Sequence, residues 1–211
     1  MTALEKPFPA AYELELDGEL PPGADGPPRF FYPGAREAGG SSDLLIKVMP
    51  SGRPPWLANF AADDYPLTVV STCPDPQVFC AIARGLGYLV SVDDPHVWSE
   101  VRAIPVLQVF PDSDHKLLLF ADFTRIAAYG EAGLVWRADL VMDGLKILSR
   151  IGTEVSIRGD NYAGGEERLV IDVTTGELVQ LPCGHRNWTT FIKPYPGRKC
   201  SVCGQQRINP Q

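Results

Sequence analysis

Residues 117 to 179 alternate between apolar and polar side chains in short segments, and each segment ends at a turn signal. The segments read LLLFADF, TRIAAYG, GLVWRADLVM, GLKILSR, EVSIRG and ERLVIDVTTGELV. A period of two is that of a β-strand with one face buried and one face in water. Strands separated by so few residues pair with their neighbours in the chain. The pattern therefore predicts one continuous antiparallel meander and an all-β fold.

The alternation also assigns the side chains of this meander to faces. The residues predicted to face the core are Leu134, Trp136, Ala138, Leu140, Met142, Val155, Ile157, Leu169, Ile171 and Val173. The segment KLLLFADF (116–123) is apolar on both faces, which is typical of a central strand. The pairs Asp143-Gly144, Gly164-Gly165 and Thr175-Gly176 are predicted turns.

The chain before the meander supplies further predicted strands. They are DLLIKVM (43–49), LTVVSTC (67–73) and IPVLQVF (104–110). VFCAIARGLGYLVSV (78–92) suits a strand pair or a short helix, and strands are favoured because Gly85 and Gly87 weaken a helix. DDPHVWSEVR is predicted to be a connector, with one helical turn as the alternative. About eight to ten short strands predict a β-sandwich or a partly closed barrel.

Three regions follow from these patterns. Residues 1–42 are dense in Pro, Gly and Ser and are predicted to be irregular apart from AYELEL, an opening strand. Phe30, Phe31 and Tyr32 are expected to anchor this region on the body; a partner-docking arm is the alternative. Residues 43–181 form the predicted β body, and residues 182–211 a separate module. No apolar run is long enough to cross a membrane and the N-terminus lacks a signal-peptide pattern, so we expect a soluble, cytoplasmic protein.

The segment from Cys183 to the end of the chain carries the clearest chemistry. Cys183-x-His185 is followed, after fourteen residues, by Cys200-x2-Cys203. Four thiolate and imidazole ligands are what a tetrahedral zinc ion requires, and four protein ligands leave no open position for catalysis. The intervening residues are long enough to fold back as a hairpin. The spacing therefore predicts one structural zinc per chain, whose binding energy would fold the short tail.

The CGH and CSVCG knuckles resemble a zinc ribbon or half of a RING-like finger. The resemblance covers only the tail, residues 182–211, and the β body resembles no family. A usual ribbon has Cys-x2-Cys in both arms, whereas one arm here is Cys-x-His. A RING finger needs eight ligands for two ions, so ubiquitin-ligase activity is not supported. What the resemblance implies is a structural zinc module.

The charge distribution separates this tail from the body. From residue 183 onward there are five basic residues and no acidic ones. Since the whole chain holds 19 basic and 26 acidic residues, residues 1–182 hold 14 basic and 26 acidic ones, a balance of −12. Arg186, Lys193, Arg198 and Lys199, with Trp188, Phe191 and Tyr195 among them, suit single-stranded nucleic acid. The acidic body opposes such binding because it repels phosphate.

Other candidate residues carry weaker signals. Asp112, Asp114 and His115 lie together in PDSDH, which suits a hairpin loop better than a cation site. Cys73 and Cys80 fit reduced core residues better than nucleophiles, because no local basic motif activates them.

Three functions remain open from the sequence. The favoured one is a non-catalytic zinc-binding protein that recognises a protein partner or takes part in assembly. The alternatives are nucleic-acid binding through the tail, and a hydrolase-type enzyme with a cleft in the body. The enzyme hypothesis requires a pocket where Asp122, His115 or Cys80 converge; Asp172 could face such a cleft with Asp122.

Overall fold

The computed structural model describes residues 3–16, 26–33, 44–140, 142–160, 165–180, 188–191, 197–200 and 206–208, with side chains described up to residue 179. Within these ranges the chain forms twenty β-strands and no helix, so the all-β prediction is confirmed. No membrane-spanning helix is found in this described part. The strands are β1 (Ala3–Glu5), β2 (Tyr12–Leu16), β3 (Arg29–Tyr32), β4 (Leu44–Pro50), β5 (Trp56–Phe60), β6 (Val69–Thr72), β7 (Val78–Ala83), β8 (Leu86–Ser91), β9 (Trp98–Glu100), β10 (Gln108–Asp112), β11 (Leu117–Ala121), β12 (Arg125–Gly130), β13 (Gly133–Asp139), β14 (Asp143–Ile151), β15 (Glu154–Asp160), β16 (Glu166–Asp172), β17 (Leu178–Gln180), β18 (Trp188–Phe191), β19 (Gly197–Cys200) and β20 (Gln206–Ile208).

The strands form five sheets. The central sheet has the order β1-β6-β7-β8-β9 and the N-terminal sheet the order β2-β4-β5-β3. Strands β10 to β13 form the first meander sheet, β14 to β17 the second, and β18 to β20 the C-terminal sheet. Among the described residues none of these sheets closes into a barrel.

The chain divides into two compact units. Unit 1 comprises Met1–Asp122 and Ala127–Val135, and unit 2 comprises Phe123–Ile126 and Trp136–Gln211. The central and N-terminal sheets belong to unit 1, and the second meander sheet to unit 2. Strands β12 and β13 contribute residues to both units.

Unit 1 is built on a sheet that is buried on both faces. Along β7, Phe79 and Ala81 belong to one hydrophobic cluster, while Cys80 and Ile82 belong to another. The first cluster also contains side chains of the N-terminal sheet, and the second contains side chains of β11 and β12. Successive side chains of a strand point to opposite faces, so the apolar residues of β7 contribute side chains to both clusters. The result is a sandwich-like packing of sheets.

The predicted strand pair at 78–92 is confirmed. Strands β7 and β8 pair antiparallel, and Arg84 and Gly85 make the turn with φ angles of 45° and 92°. Positive φ at both central residues is what a tight hairpin turn requires. A Cβ on Gly85 would lie 2.8 Å from Cβ of Tyr65, so this glycine is also required by the close approach of a neighbouring loop.

The continuous meander predicted for residues 117–179 is wrong in one respect. Its strands form two sheets, and the break lies between β13 and β14. Strands β14 to β17 are a sequential antiparallel meander as expected. Asp143-Gly144, predicted as a turn, forms the start of β14, where Gly144 has a φ of 60° and the register shifts. The alternation of apolar and polar residues shows which segments are strands and which side chains share a face. It does not show which strands pair with each other in a sheet.

Most predicted core positions of the meander are buried. They are Trp136, Met142, Val155, Ile157, Leu169, Ile171 and Val173. Ala138 and Leu140 are half-buried. Leu134 is 48% exposed, so its assignment to the core is wrong. It lies near the start of β13, the edge strand of its sheet, where the adjacent Val135 is exposed as well.

Two regions hold strands that local patterns do not reveal. Residues 1–42, predicted to be irregular beyond one strand, contain β1, β2 and β3, and β1 and β3 pair parallel with β6 and β5. The predicted connector at 93–102 contains β9, which pairs with β8. Each of these strands is short, and the partners of the parallel ones are distant in the chain, so a hairpin signal is absent.

We expect Phe79→Ala to lower the free energy of unfolding by about 3–5 kcal/mol. Phe79 is fully buried, and its ring lies 6.3 Å from that of Tyr12 and 6.2 Å from those of Trp56 and Phe60. Urea unfolding followed by tryptophan fluorescence measures the change. Val97→Ala, at a position that is 60% exposed, serves as the control and should change stability by less than about 0.5 kcal/mol. Equal effects of the two substitutions would contradict the burial of Phe79 between the central and N-terminal sheets.

Candidate binding groove beside strand β9

Two cavities of unit 1 lie beside β9 and share part of their lining. The first has a volume of about 340 Å³ and the second of about 540 Å³. Both are lined by Leu89, Trp98, Ser99, Tyr129 and Gly133. The two cavities are therefore neighbours, and we call them together the β9 groove.

Strand β9 ends the central sheet and presents one side of its backbone to the groove region. The Ser91 N–H donates to the Val97 carbonyl at 2.9 Å, and the Val101 N–H donates to the Gly87 carbonyl at 2.9 Å. Backbone groups of successive strand residues point in opposite directions, so those of Trp98 and Glu100 point away from β8. In the described part of the chain no strand pairs with that side of β9. An exposed strand edge of this kind is a template for pairing with an extended peptide.

Apolar side chains flank this edge. Val97, Ile104 and Leu134 line the groove and are 60%, 50% and 48% exposed. Contiguous exposed apolar side chains on a folded domain mark interaction surfaces more often than scattered ones do.

Trp98 fixes strand β9 to the cluster that the central sheet shares with the N-terminal sheet. Its ring is half-buried and contacts the ring of Tyr32 edge-on at 5.7 Å and that of Tyr88 at 6.1 Å. The Tyr32 hydroxyl donates to the Pro95 carbonyl at 2.8 Å, which holds the loop that leads into β9. The position of β9 is therefore preformed, so a ligand that pairs with this strand does not have to order it.

The groove is acidic. Asp75 and Glu131 line the first cavity, and Glu100 and Arg102 line the second. Arg102 is the only basic residue among the described lining residues of both cavities. The Asp75 carboxylate accepts the Gln77 N–H at 2.9 Å, which fixes its position at the turn before β7.

Tyr129 closes the wall opposite β9. Its hydroxyl accepts the Arg102 N–H at 2.8 Å, and burial raises the pKa of Tyr129 above its usual value of 10.0. The phenol thus stays neutral, and the charge of the groove comes from its carboxylates and from Arg102.

The thiols of unit 1 are not activated. Cys73 lines the first cavity but is only 4% exposed, and Cys80 is fully buried. Burial raises the pKa of both thiols far above the usual value of 9.0, because the thiolate is poorly solvated there. A thiol that stays protonated is a weak nucleophile. Both cysteines are unpaired, as predicted for reduced core residues.

The PDSDH segment is the hairpin loop that was predicted. Asp112 is buried, and one of its carboxylate oxygens lies 2.8 Å from Nδ1 of His115. The same side chain accepts the His115 N–H, which ties the turn between β10 and β11. Among the described residues no three His, Cys, Asp or Glu side chains are grouped so that they could hold a metal ion.

The two carboxylates considered for a cleft each have a local structural role. Asp122 accepts the Ile104 N–H at 3.3 Å. Asp172 accepts the hydroxyl and the N–H of Thr174, and hydrogen bonding by that hydroxyl is the main reason why its pKa is lowered. Neither Asp122 nor His115 nor Cys80 lines either cavity of the β9 groove.

Of the four predicted zinc ligands, Cys200 alone lies within the described residues. Cys183, His185 and Cys203 lie outside the described residues. Cys200 ends β19, where only the backbone is described; it is paired with Trp188 of β18.

The groove residues themselves were not identified from the sequence. Val97 and Trp98 fall in the predicted connector, and Leu134 was assigned to the core. The short run VWSEV gives no strand signal of its own, and a free edge depends on which strands pair.

Comparison with models of known protein families gives no match, and no curated protein is similar to the chain.

We expect the two buried thiols to make stability fall at alkaline pH. Their pKa is higher in the folded state than the usual 9.0, so unfolding releases protons once the pH exceeds that value. Their contribution is fully present below about pH 9 and is lost progressively above it, by at most about 1.4 kcal/mol per pH unit for each thiol. Urea unfolding between about pH 7 and 10 measures this decline.

The variant Cys73→Ala/Cys80→Ala is the comparison. Alanine does not titrate, so the free energy of unfolding of this variant should fall less steeply above about pH 9. An equally steep decline in the variant and the wild type would show that the thiols are not held protonated by burial.

Proposed function

We propose that the protein is a non-catalytic binding protein that recognises a protein partner through the β9 groove, and that its β-sandwich body carries a C-terminal zinc module. One observation carries the first part: the outer backbone edge of β9 lies beside a groove with three exposed apolar side chains. Recognition at an exposed sheet edge uses backbone hydrogen bonds for affinity and flanking pockets for specificity.

The non-catalytic part of the proposal rests on what the reactive side chains do. Cys73 and Cys80 are held protonated by burial, and Asp122 and Asp172 accept hydrogen bonds that organise nearby backbone. A general base or nucleophile needs a pKa matched to its task and access to substrate. These four groups support the fold instead.

The zinc part of the proposal rests on ligand chemistry and spacing. Cys183, His185, Cys200 and Cys203 supply four ligands of the kind found in closed structural sites. The register of β18 and β19 is compatible with it, because Trp188, which follows the first ligand pair in the chain, is opposite Cys200. A structural zinc would stabilise a segment that is too short to bury a core of its own.

Nucleic-acid binding through the tail is the competing proposal. Arg186, Lys193, Arg198 and Lys199 supply its charge, while the acidic balance of residues 1–182 opposes it. RNA recovered with the protein, and lost on charge reversal of Lys193, Arg198 and Lys199, would favour this function over partner recognition through the groove.

We expect Val97→Gln/Leu134→Gln to weaken capture of the protein partner. Both positions are largely exposed, so the substitutions remove apolar contact area without opening the core. The full chain is immobilised and native partners are identified by quantitative mass spectrometry. A partner that uses the groove should be recovered about tenfold less with the variant than with the wild type.

The matched control is Ile151→Gln in unit 2. Ile151 is 80% exposed and lines neither cavity, so its replacement should leave recovery unchanged. Partners that bind the wild type and the groove variant equally well would refute recognition through the β9 groove.

For the zinc module, we expect elemental analysis of protein purified under reducing, chelator-free conditions to give about one zinc per chain. Cys203→Ser should lower this content strongly because it removes one of four ligands. Cys73→Ala/Cys80→Ala, which removes two cysteines outside the proposed ligand set, should leave it unchanged. Wild-type protein that carries less than about a tenth of one zinc would exclude the module.

A further inference from the structure

We propose that the β9 groove binds an extended peptide that adds to β9 as a further strand and places one basic side chain in the cavity lined by Asp75 and Glu131. This inference rests on the proposed function and names the chemistry of the partner. It is carried by the edge geometry of β9, the charge of the first cavity and the ring of Tyr129 in its lining.

The pleat of β9 decides which side chains of an added strand reach the cavity. Val97 and Ser99 line the first cavity, and Val101, two residues further on the same face, belongs to the cluster shared with β11 and β12. An added strand continues the pleat of its neighbour, so every second side chain of the peptide falls on this face. A side chain beside Val97 or Ser99 therefore points towards the first cavity.

The outward backbone groups set the register. The N–H and C=O of Trp98 and of Glu100 point away from β8 and are spaced two residues apart, as a pairing strand requires. The apolar side chains of Val97, Ile104 and Leu134 would contact the flanking residues of the peptide. β-branched residues at these flanking positions suit both the strand conformation and the contacts.

The first cavity selects a cation. Asp75 and Glu131 line it, and no Lys or Arg is found among its described lining residues. Tyr129, which belongs to the same cluster as Val101, also lines it, and an aromatic ring attracts ammonium and guanidinium groups. Its volume of about 340 Å³ is at the lower end for small ligands, which suits one long side chain. An acidic side chain there would be repelled.

The negative charge of residues 1–182 as a whole also favours a basic peptide. Residues 1–182 carry a balance of −12, so a basic peptide is attracted over a longer range than the cavity itself. This long-range attraction is unspecific, and the experiment therefore has to separate it from recognition by Asp75 and Glu131.

The test is selection of a phage-displayed random-peptide library on the full-length protein. We expect the enriched peptides to share one Lys or Arg between β-branched residues. The affinity of a synthetic enriched peptide is then measured by fluorescence anisotropy. Replacing its basic residue with norleucine, and replacing the protein's carboxylates in Asp75→Asn/Glu131→Gln, should each weaken binding by about tenfold or more.

The protein variants are matched in shape and charge. Asparagine at position 75 keeps the oxygen that accepts the Gln77 N–H, so the turn is retained. Glu13→Gln/Asp63→Asn removes the same amount of charge from exposed residues of unit 1 that line neither cavity. This second variant should bind the peptide as the wild type does. An equal loss in both variants would show general attraction to an acidic protein and would overturn the proposal.

Strand addition has a separate readout. N-methylation of peptide amides that face β9 should abolish binding, whereas methylation of the alternate amides should leave it unchanged. A peptide that is insensitive to methylation at every position would overturn strand addition. Enriched peptides without a basic residue, or no enrichment at all, would overturn the inference. The proposed function would still be tested separately by the capture experiment with Val97→Gln/Leu134→Gln, because a folded partner could bind the exposed apolar side chains of the groove without adding a strand.

Discussion

The burial of both faces of the central sheet is the constraint on which the rest of unit 1 depends. Phe79 on one face and Ile82 on the other are fully buried, each in its own cluster of apolar side chains. A sheet that is apolar on both sides has to be covered on both sides, since every Å² left in water costs about 25 cal/mol. The N-terminal sheet covers one face, and side chains of β11 and β12 cover the other.

The same layering explains both the inert thiols and the groove. Cys80 lies inside a layer, where the thiolate is not solvated, and it packs there as a small apolar side chain. At β9 the sheet ends, and proteins usually protect such an edge with charges or bulges because it can pair with other chains. Here the edge carries Glu100 but is flanked by Val97 and Leu134, which are exposed. The protonated thiols inside the layers and the strand edge at β9 are the observations behind the proposed recognition function.

Patterns of neighbouring residues predicted the strands and the hairpin whose formation depends on residues close together in the chain. The all-apolar run of β11 was expected to be a central strand, and it lies fully buried between β10 and β12. The glycines at 85 and 87 favoured a strand pair over a helix, which the β7–β8 hairpin confirms. The prediction of one continuous meander was wrong because a period of two is the same whether or not adjacent strands pair. Leu134 was wrongly assigned to the core for a related reason. The alternation shows which face of a strand is apolar, but it does not show how far along the strand that face is covered by other residues.

By itself the sequence determined that this chain is made of strands, which faces of β15 and β16 are apolar, and that the body is acidic while the tail is basic. It also predicts a zinc site from four ligands in the tail. Tertiary structure alone decided the parallel pairings of β1 and β3, the edge position of β9, and the meeting of Asp75, Trp98 and Glu131 in one cavity. The physical reason is separation along the chain. The alternation of side chains and the chemistry of turns depend on a few neighbouring residues, whereas the order of strands in a sheet depends on apolar faces that are far apart in the sequence and pack together.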